Sequence, residues 1–255
     1  MGQWLKVLVA GGMIALVALD AFVWASPRES QIVEYKSGND MVRAYLVIPD
    51  SPGPHPAIVV IHEYWGLNDW VKEQAHKLAA EGYVALAIDL YRGAVATDPA
   101  DAGELMRTLP RDRAVRDLEA AYDYLAARPE VNKSRIGSIG WCMGGGYSLQ
   151  FAIHEPKLAA CVVNYGAMPT DPADIAKIQA PILGNFGADD RGITPDAVHA
   201  FESAMRTAGK SVDLKIYDGA GHAFENPNNT AGYRPEAAAD AWNRIVAFFA
   251  KTLKK

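Results

Sequence analysis

Cysteine is scarce in this sequence, and its scarcity excludes a fold held together by disulfides. The 255 residues include two cysteines, Cys142 and Cys161, too few for a disulfide framework. Basic clusters are also missing: the formal net charge is -5, and no patch of Lys and Arg could neutralise nucleic-acid phosphates. Half of the residues are hydrophobic, enough to bury one sizeable core, so we expect a single domain that does not bind nucleic acid.

A long uncharged run occurs only near the N-terminus. Lys6 precedes such a run over residues 7–19, and Val23 and Ala25 supply the small residues that a signal peptidase recognises. The run is shorter than the roughly 20 residues that a comfortable membrane span needs. We therefore expect residues 1–25 to be a cleaved signal peptide, with export to the periplasm or the medium and no stable membrane span afterwards. An uncleaved N-terminal membrane anchor is the alternative.

The remainder, residues 27–255, alternates strand-like and helical patterns. Continuous apolar runs are typical of strands buried on both faces, whereas apolar side chains at a spacing of three and four indicate helices. The patterns predict strands near residues 32–35, 42–48, 57–61, 84–88, 135–139, 159–163, 182–186 and 212–217, and helices near 70–81, 111–128, 146–152, 195–208 and 235–252. Repeated βα units imply an α/β fold, with a mostly parallel central sheet and helices on both faces.

A turn of small residues with a cysteine at its apex lies between a predicted strand and a predicted helix. In residues 140–145, Gly140 and Gly144 stand two positions either side of Cys142, as a sharp strand-to-helix turn requires for steric reasons. Such a turn exposes its apex side chain beside a helix N-terminus, which should ease ionisation of the thiol. The pattern resembles the nucleophile elbow of the α/β-hydrolases, with cysteine in place of serine.

Two other interpretations of this turn remain open. A single cysteine is commonly a packing residue, which is our interpretation of Cys161 in the apolar run 158–163. Glycine-rich strand–helix turns also bind phosphates. No Lys-Ser/Thr pair follows these glycines, however, and the turn comes too late in the chain for a dinucleotide fingerprint.

An elbow nucleophile needs a base and an orienting acid, which follow it in this fold in the order acid, then histidine. Asp189 and Asp190 follow one predicted strand and His222 follows the next, so both loops reach strand ends where parallel sheets bind ligands. His222 can accept the thiol proton, and a buried carboxylate would fix its tautomer. The alternatives are a helix cap for either Asp and a surface turn for His222.

Four motifs resemble the dienelactone hydrolase family over roughly residues 30–252. They are Gly-Trp-Cys-Met-Gly-Gly at 140–145, His-Glu-Tyr-Trp-Gly at 62–66, Asp-Leu-Tyr at 89–91 and Gly-His-Ala-Phe at 221–224. The resemblance implies an α/β-hydrolase fold and an enzyme that hydrolyses small-molecule esters or lactones through a covalent thioester. It also implies that no metal or organic cofactor is needed, and we expect a monomer.

The resemblance also assigns roles to single residues. It implies that Cys142 is the nucleophile, His222 the base and Asp190 the acid. Glu63 would be a carboxylate that helps the thiol ionise. The backbone N–H groups of Met143 and Tyr64 would form the oxyanion hole. The family acid lies three residues past the loop glycine, which favours Asp190 over Asp189. A surface salt bridge is the alternative for Glu63, and His62 is interpreted as a packed strand-end residue.

One departure from the family concerns the substrate. Family members that hydrolyse dienelactone hold its carboxylate with two arginines, one near the Asp-Leu-Tyr segment and one shortly after the catalytic histidine. Arg92, directly after Tyr91, is a candidate for the first of these arginines. Residues 223–227, directly after His222, contain Glu225 and no arginine. We therefore expect Arg92, Tyr91 and Trp65 to contact substrate, and neutral or singly charged esters and lactones to be preferred over dienelactone.

Other functions share this fold, because fold alone does not determine chemistry. A related acyl transferase or thioesterase would use the same nucleophile. A catalytically silent binding protein could keep the pocket as a ligand site. A thiol redox protein is disfavoured, since no resolving cysteine lies near Cys142 in the sequence.

Overall fold

In the computed structural model, residues 1–2 and 30–254 are described, and residues 30–254 fold around a single sheet. The strands are β1 Gln31–Ser37, β2 Asp40–Val47, β3 His55–Ile61, β4 Val84–Ile88, β5 Val131–Trp141, β6 Ala160–Asn164, β7 Ile182–Gly187 and β8 Val212–Tyr217. The helices are α1 Asp69–Ala80, α2 Pro99–Thr108, α3 Arg111–Ala126, α4 Met143–His154, α5 Pro172–Lys177, α6 Pro195–Thr207 and α7 Pro235–Leu253.

The sheet is mostly parallel, as the sequence predicts. Its strand order is β1-β2-β4-β3-β5-β6-β7-β8, in which β1–β2 and β2–β4 are antiparallel and every other pair is parallel. Apolar residues of α3, α4 and α6 pack on one face, and those of α1 and α7 pack on the other. Every residue of β4 is buried, which explains its uninterrupted apolar sequence.

Short polar residues fix the starts of several helices. Asp98, Asp171 and Thr194 each precede a proline at the first helical position, and each side chain accepts a hydrogen bond from a backbone N–H of the first turn. Asn68 caps α1 in the same way, accepting from the N–H of Val71. These caps place the helices directly after the loops that follow the strands.

Helices α2 and α5 are additions to the predicted elements. A search for an apolar stripe misses α2, since Ala102 is its one buried residue, and α5, which has six residues and buries only Ile175. Helix α4 also begins earlier than predicted, at Met143, directly after Cys142. Glycine-rich sequence obscures that first turn, because glycine disfavours helix in isolation.

The predicted signal peptide lies, apart from Met1 and Gly2, outside the described residues. No helix among the described residues is both long and apolar enough to cross a membrane. The parallel strands β3, β5, β7 and β8 all end at the same edge of the sheet, and the loops after them carry the predicted site residues.

Candidate active site

Cys142 stands at the apex of a strained turn between β5 and α4. Its backbone has φ of 55° and ψ of -121°, a conformation that non-glycine residues rarely adopt. The N–H of Cys142 donates to the carbonyl of Asn164 at the end of β6 over 3.0 Å, which fastens the turn to the neighbouring strand. The geometry is that of a nucleophile elbow, with the side chain held above the sheet edge.

The flanking glycines are steric necessities. A Cβ atom on Gly140 would lie 2.0 Å from the carbonyl oxygen of Gly144, and one on Gly144 would lie 2.3 Å from the carbonyl oxygen of Ile61. The first contact closes the turn on itself, and the second presses the start of α4 against the end of β3. Cys142 is thereby brought beside the residues that follow β3.

Two backbone donors act on the Cys142 sulfur. The N–H groups of Met143 and Tyr64, the predicted oxyanion-hole residues, both act as hydrogen-bond donors that favour the thiolate. They converge on the sulfur because Met143 opens α4 and Tyr64 follows the end of β3. The same pair could stabilise an oxyanion on a bound carbonyl.

The expectation of a readily ionised thiol is wrong for this state of the site. Burial, and then the nearby carboxylates of Glu63 and Asp190, raise the pKa of the Cys142 thiol to about 12, despite the two N–H donors. The amino-acid sequence places a helix N-terminus beside Cys142, but the burial of the thiol and its two neighbouring acids arise only in the folded chain. Cys142 is therefore a neutral thiol at neutral pH.

Glu63 is buried next to the thiol. It is 2% exposed, and the side-chain amide of Asn226 donates to its Oε2 over 2.7 Å. Burial raises the pKa of Glu63 to about 7, and the Asn226 hydrogen bond only partly offsets this effect. The alternative of a surface salt bridge is therefore wrong, because Glu63 is enclosed and its partner is a neutral amide.

Asp190 and His222 form a hydrogen-bonded pair. His222 Nδ1 lies 2.7 Å from Asp190 Oδ2, and Asp190 Oδ1 accepts from the N–H groups of Gly192 and Ile193 over 2.8 and 3.0 Å. An ionised carboxylate only accepts, so Nδ1 carries the proton and Nε2 is the free base. Asp190 is buried whereas Asp189 is exposed, so Asp190 is the one of the two that lies against His222.

Two cavities, each of about 600 Å³, open on either side of Cys142 and His222. Met106 of α2 also lines both of them. The first is bounded by Met143, Tyr147, Met168 and Ile193 together with the more polar Arg111 and Asp171. The second is bounded by Glu63, Tyr64, Trp65, Asn226, Asn228 and Asn229. A substrate can therefore extend from the thiol in two directions.

The predicted substrate contacts are only partly brought together. Trp65 lines the second cavity, as expected. Tyr91 is 7% exposed and donates its hydroxyl to the Met143 sulfur over 3.1 Å, so it supports the cavity wall from behind. Arg92 forms an ion pair with the fully buried Asp117 at 2.7 Å and lines neither cavity, so the prediction that it holds a substrate carboxylate is wrong.

Glu225 also departs from expectation. It lines neither cavity, and its Oε2 accepts a hydrogen bond from Trp141 Nε1 over 2.9 Å. The side chain of Glu225 therefore turns under the elbow, where it cannot repel a substrate directly. The alternation of side chains along an extended strand does not predict where the Glu225 side chain points, because the residues after His222 form turns.

His62 is the packed strand-end residue that the sequence analysis predicts. It is fully buried, and its Nε2 accepts from the N–H of Leu90 over 3.2 Å. That bond leaves Nδ1 as the donor to the carbonyl of Glu63, at 2.6 Å. Burial lowers the pKa of His62, so it stays neutral and links the ends of β3 and β4.

Several contributors to the site are absent from the sequence argument. Asn226 is the polar partner of Glu63, and the ring of Tyr165 lies edge-on to His222 with 5.2 Å between the centroids. Arg111 supplies a cation in the first cavity, and Met106 lines both cavities. Position offers a signal for two of them. Asn226 lies four residues after His222, and Tyr165 directly follows a parallel strand. Within the described residues, no group of three or more His, Cys, Asp or Glu side chains could hold a metal ion.

Known proteins resemble this chain over most of its length. The model of the dienelactone hydrolase family matches residues 42–253. A protein of Methylorubrum extorquens named "Putative carboxymethylenebutenolidase" is 34% identical over 223 residues, covering 82% of this chain and 76% of its own. Protein usf of Aquifex pyrophilus is 35% identical over 230 residues, covering 88% and 99%. The crystal structure of a dienelactone hydrolase-like promiscuous phosphotriesterase from metagenomic libraries superposes with a TM-score of 0.82 at 28% identity, covering 89% and 99%.

Replacing Glu63 by Gln should stabilise the protein at neutral and alkaline pH. The folded state raises the pKa of Glu63 from 4.5 to about 7, so the wild type loses stability as pH rises through that window, by roughly 3 kcal/mol. Glu63→Gln lacks this loss, and its melting temperature should exceed that of the wild type at pH 8 but not at pH 4.5. The exposed Glu73→Gln on α1 is the matched control, and equal pH dependence in all three proteins would contradict the prediction.

Proposed function

Because this chain belongs to the dienelactone hydrolase family, and is thus a carboxylic ester hydrolase, we propose that it cleaves small esters or lactones through a thioester on Cys142. The observation that carries the proposal is the position of the thiol between two cavities that His222, paired with Asp190, also lines. The proposed nucleophile and base therefore face the same cavities, where a substrate would bind. The triad of Cys142, His222 and Asp190 is the part of the proposal that experiment must test.

The first step activates a thiol that is neutral at rest. A substrate carbonyl that takes the N–H groups of Met143 and Tyr64 displaces the sulfur from them. Within the described residues no hydrogen bond joins Cys142 to His222, so the sulfur has to turn as the substrate enters. The thiol proton then passes to His222 Nε2, either directly or by way of Glu63, and the sulfur attacks the carbonyl carbon.

The remaining steps complete hydrolysis. The tetrahedral oxyanion is held by the two backbone N–H groups, and protonated His222 gives its proton to the leaving alkoxide as the ester C–O bond breaks. Water enters, transfers a proton to His222 and attacks the thioester. Cys142 leaves as thiolate and is reprotonated, the acid product departs, and Asp190 stabilises the imidazolium throughout. Each atom and proton is thereby accounted for without a cofactor.

The two cavities indicate the substrate class. Met106, Met143 and Tyr147 give the first cavity apolar walls that suit an alkyl or aryl group. Its cation, Arg111, faces two acids that line the same space, Asp171 and Asp174. A dianionic substrate therefore meets no surplus of positive charge, and we propose that neutral and singly charged small esters and lactones are preferred.

Cys142→Ala should abolish ester turnover, and Cys161→Ala should leave it near wild type. Cys142 stands at the elbow, whereas Cys161 is fully buried in β6 and shares a hydrogen bond with Ser148. The measurement is the burst of product from an activated aryl ester, with mass spectrometry of the trapped acyl-enzyme. Equal loss in both variants, with folding intact, would contradict the assignment. A folded wild type that forms no acyl-enzyme would instead support a silent binding protein.

Asp190→Asn should lower kcat/KM by about 10³-fold or more, with Asp189→Asn as a matched neighbour that changes it little. Asp190 is buried against His222 Nδ1, while Asp189 is exposed. Steady-state kinetics on the same aryl ester, with circular dichroism to verify folding, make the comparison. A larger loss at Asp189 than at Asp190 would overturn the proposed acid.

Arg111→Ala should weaken activity toward a singly anionic ester without affecting a neutral one. Arg111 lines the first cavity, and a charge-assisted contact to a carboxylate contributes about 1.5–3 kcal/mol, roughly 10- to 100-fold in kcat/KM. Arg107→Ala is the control, because Arg107 is exposed on α2 and lines neither cavity. Proportional losses on both esters would show that Arg111 has no part in charge selection.

A further inference from the structure

A polar cluster lies beneath the elbow and outside both cavities. We define the sub-elbow cluster as Trp141, Asn164 and Glu225. Trp141 is 1% exposed and is the last residue of β5, directly before Cys142. Asn164 is fully buried and is the last residue of β6. Glu225 follows His222 by three residues. None of the three has a role in the reaction steps described above. Glu225 is half-buried and has no assigned role, so a carboxyl group in this position next to the elbow calls for a physical explanation.

The cluster joins the two segments whose alignment the reaction needs. Trp141 Nε1 donates to Glu225 Oε2 over 2.9 Å. The side-chain amide of Asn164 lies 3.2 Å from the other carboxyl oxygen, Glu225 Oε1, and its oxygen accepts from the side-chain amide of Asn185 over 2.9 Å. The carbonyl of Asn164 in turn holds the N–H of Cys142. The elbow is thus tied to the loop that carries His222 through one carboxyl group.

The charge state of that carboxyl group depends on its neighbours. Burial and the negative charge of Glu63 raise the pKa of Glu225 to about 8, although Trp141 and Lys77 of α1 act to lower it. Tyr165, after β6, faces both acids and stays protonated, since burial and these acids raise its pKa. Glu63 and Glu225 repel each other and therefore ionise in sequence, so one proton remains on the pair around neutral pH.

We propose that Glu225 is a positioning residue that ties the nucleophile elbow to the His222 loop through Trp141, and that it does so as the neutral acid while Glu63 carries the charge. A neutral Glu225 accepts from Trp141 with its carbonyl oxygen and adds no second negative charge beneath the thiol. Glu63 is then free to ionise beside Cys142. An ionised Glu225 would add to the negative potential around the sulfur and oppose formation of the thiolate.

The first test measures how the charge of Glu225 affects the reactivity of the Cys142 thiol, without using ester turnover. Alkylation of Cys142 by iodoacetamide reports its thiolate, and mass spectrometry distinguishes it from Cys161, which is fully buried. Glu225→Gln and Glu225→Leu both remove the ionisable group, so both should lower the midpoint of the alkylation–pH profile by ~0.5–1 unit relative to wild type. Midpoints unchanged in both variants would overturn the electrostatic half of the proposal.

The second test isolates the tie itself and rests on the proposed function. Gln reproduces the neutral acid, with one acceptor and one donor, so Glu225→Gln should keep kcat within about threefold at pH 7. Glu225→Leu and Trp141→Phe should each lower kcat tenfold or more with KM little changed, and the double variant should lose no more than either alone. Wild-type kcat in Glu225→Leu, or additive losses in the double variant, would overturn the positioning role.

The two tests fail separately from the proposed function. If wild type forms no acyl-enzyme on Cys142, the hydrolase proposal fails, while the alkylation profiles still decide whether Glu225 controls the thiol. If wild type does form it and the variants behave as wild type, only the role of Glu225 fails. Circular dichroism and thermal melting identify a Leu variant that does not fold, in which case Glu225→Gln and Trp141→Phe carry the test.

Discussion

The close approach of α4 to the end of β3 is the constraint on which the rest of the site depends. Gly144 presses against the carbonyl of Ile61, a distance that no side chain could tolerate. That contact puts the first N–H of α4 and the N–H of Tyr64 on the same sulfur and brings Glu63 alongside. The loops after β7 and β8 then need only reach the same sheet edge for Asp190 and His222 to face the thiol.

Much of this arrangement could be predicted because it depends on local rules. Apolar periodicity identifies the strands, and glycine spacing identifies the elbow. The positions of Asp189, Asp190 and His222 after successive strands indicate an acid–histidine pair, and the resemblance to the family selects Asp190. The sign of the Cys142 pKa shift could not be predicted, because it depends on how deeply the thiol is buried and on two acids distant in sequence. The partners of Arg92 and Glu225 were missed for a related reason: each turns toward a buried group that only the folded chain provides, Asp117 and Trp141.

The electrostatics of the site oppose a negative charge on the Cys142 sulfur. Glu63 and Asp190 raise the pKa of the thiol, and the N–H groups of Met143 and Tyr64 are the donors that oppose them. Natural sites commonly hold such unfavourable charge at a cost in stability, since function rather than stability fixes those residues. The protein compensates elsewhere with a large core on both faces of the sheet.

The neutral resting thiol has a consequence for chemical damage. Peroxide and other oxidants attack thiolates, and oxidation proceeds stepwise from sulfenic to sulfinic and sulfonic acid. A thiol with a pKa of about 12 presents almost no thiolate at neutral pH, so Cys142 resists this oxidation although it is accessible from two cavities. In the proposed mechanism the thiolate forms only after a substrate has turned the sulfur, and the acyl group that then occupies the sulfur shields it from oxidants.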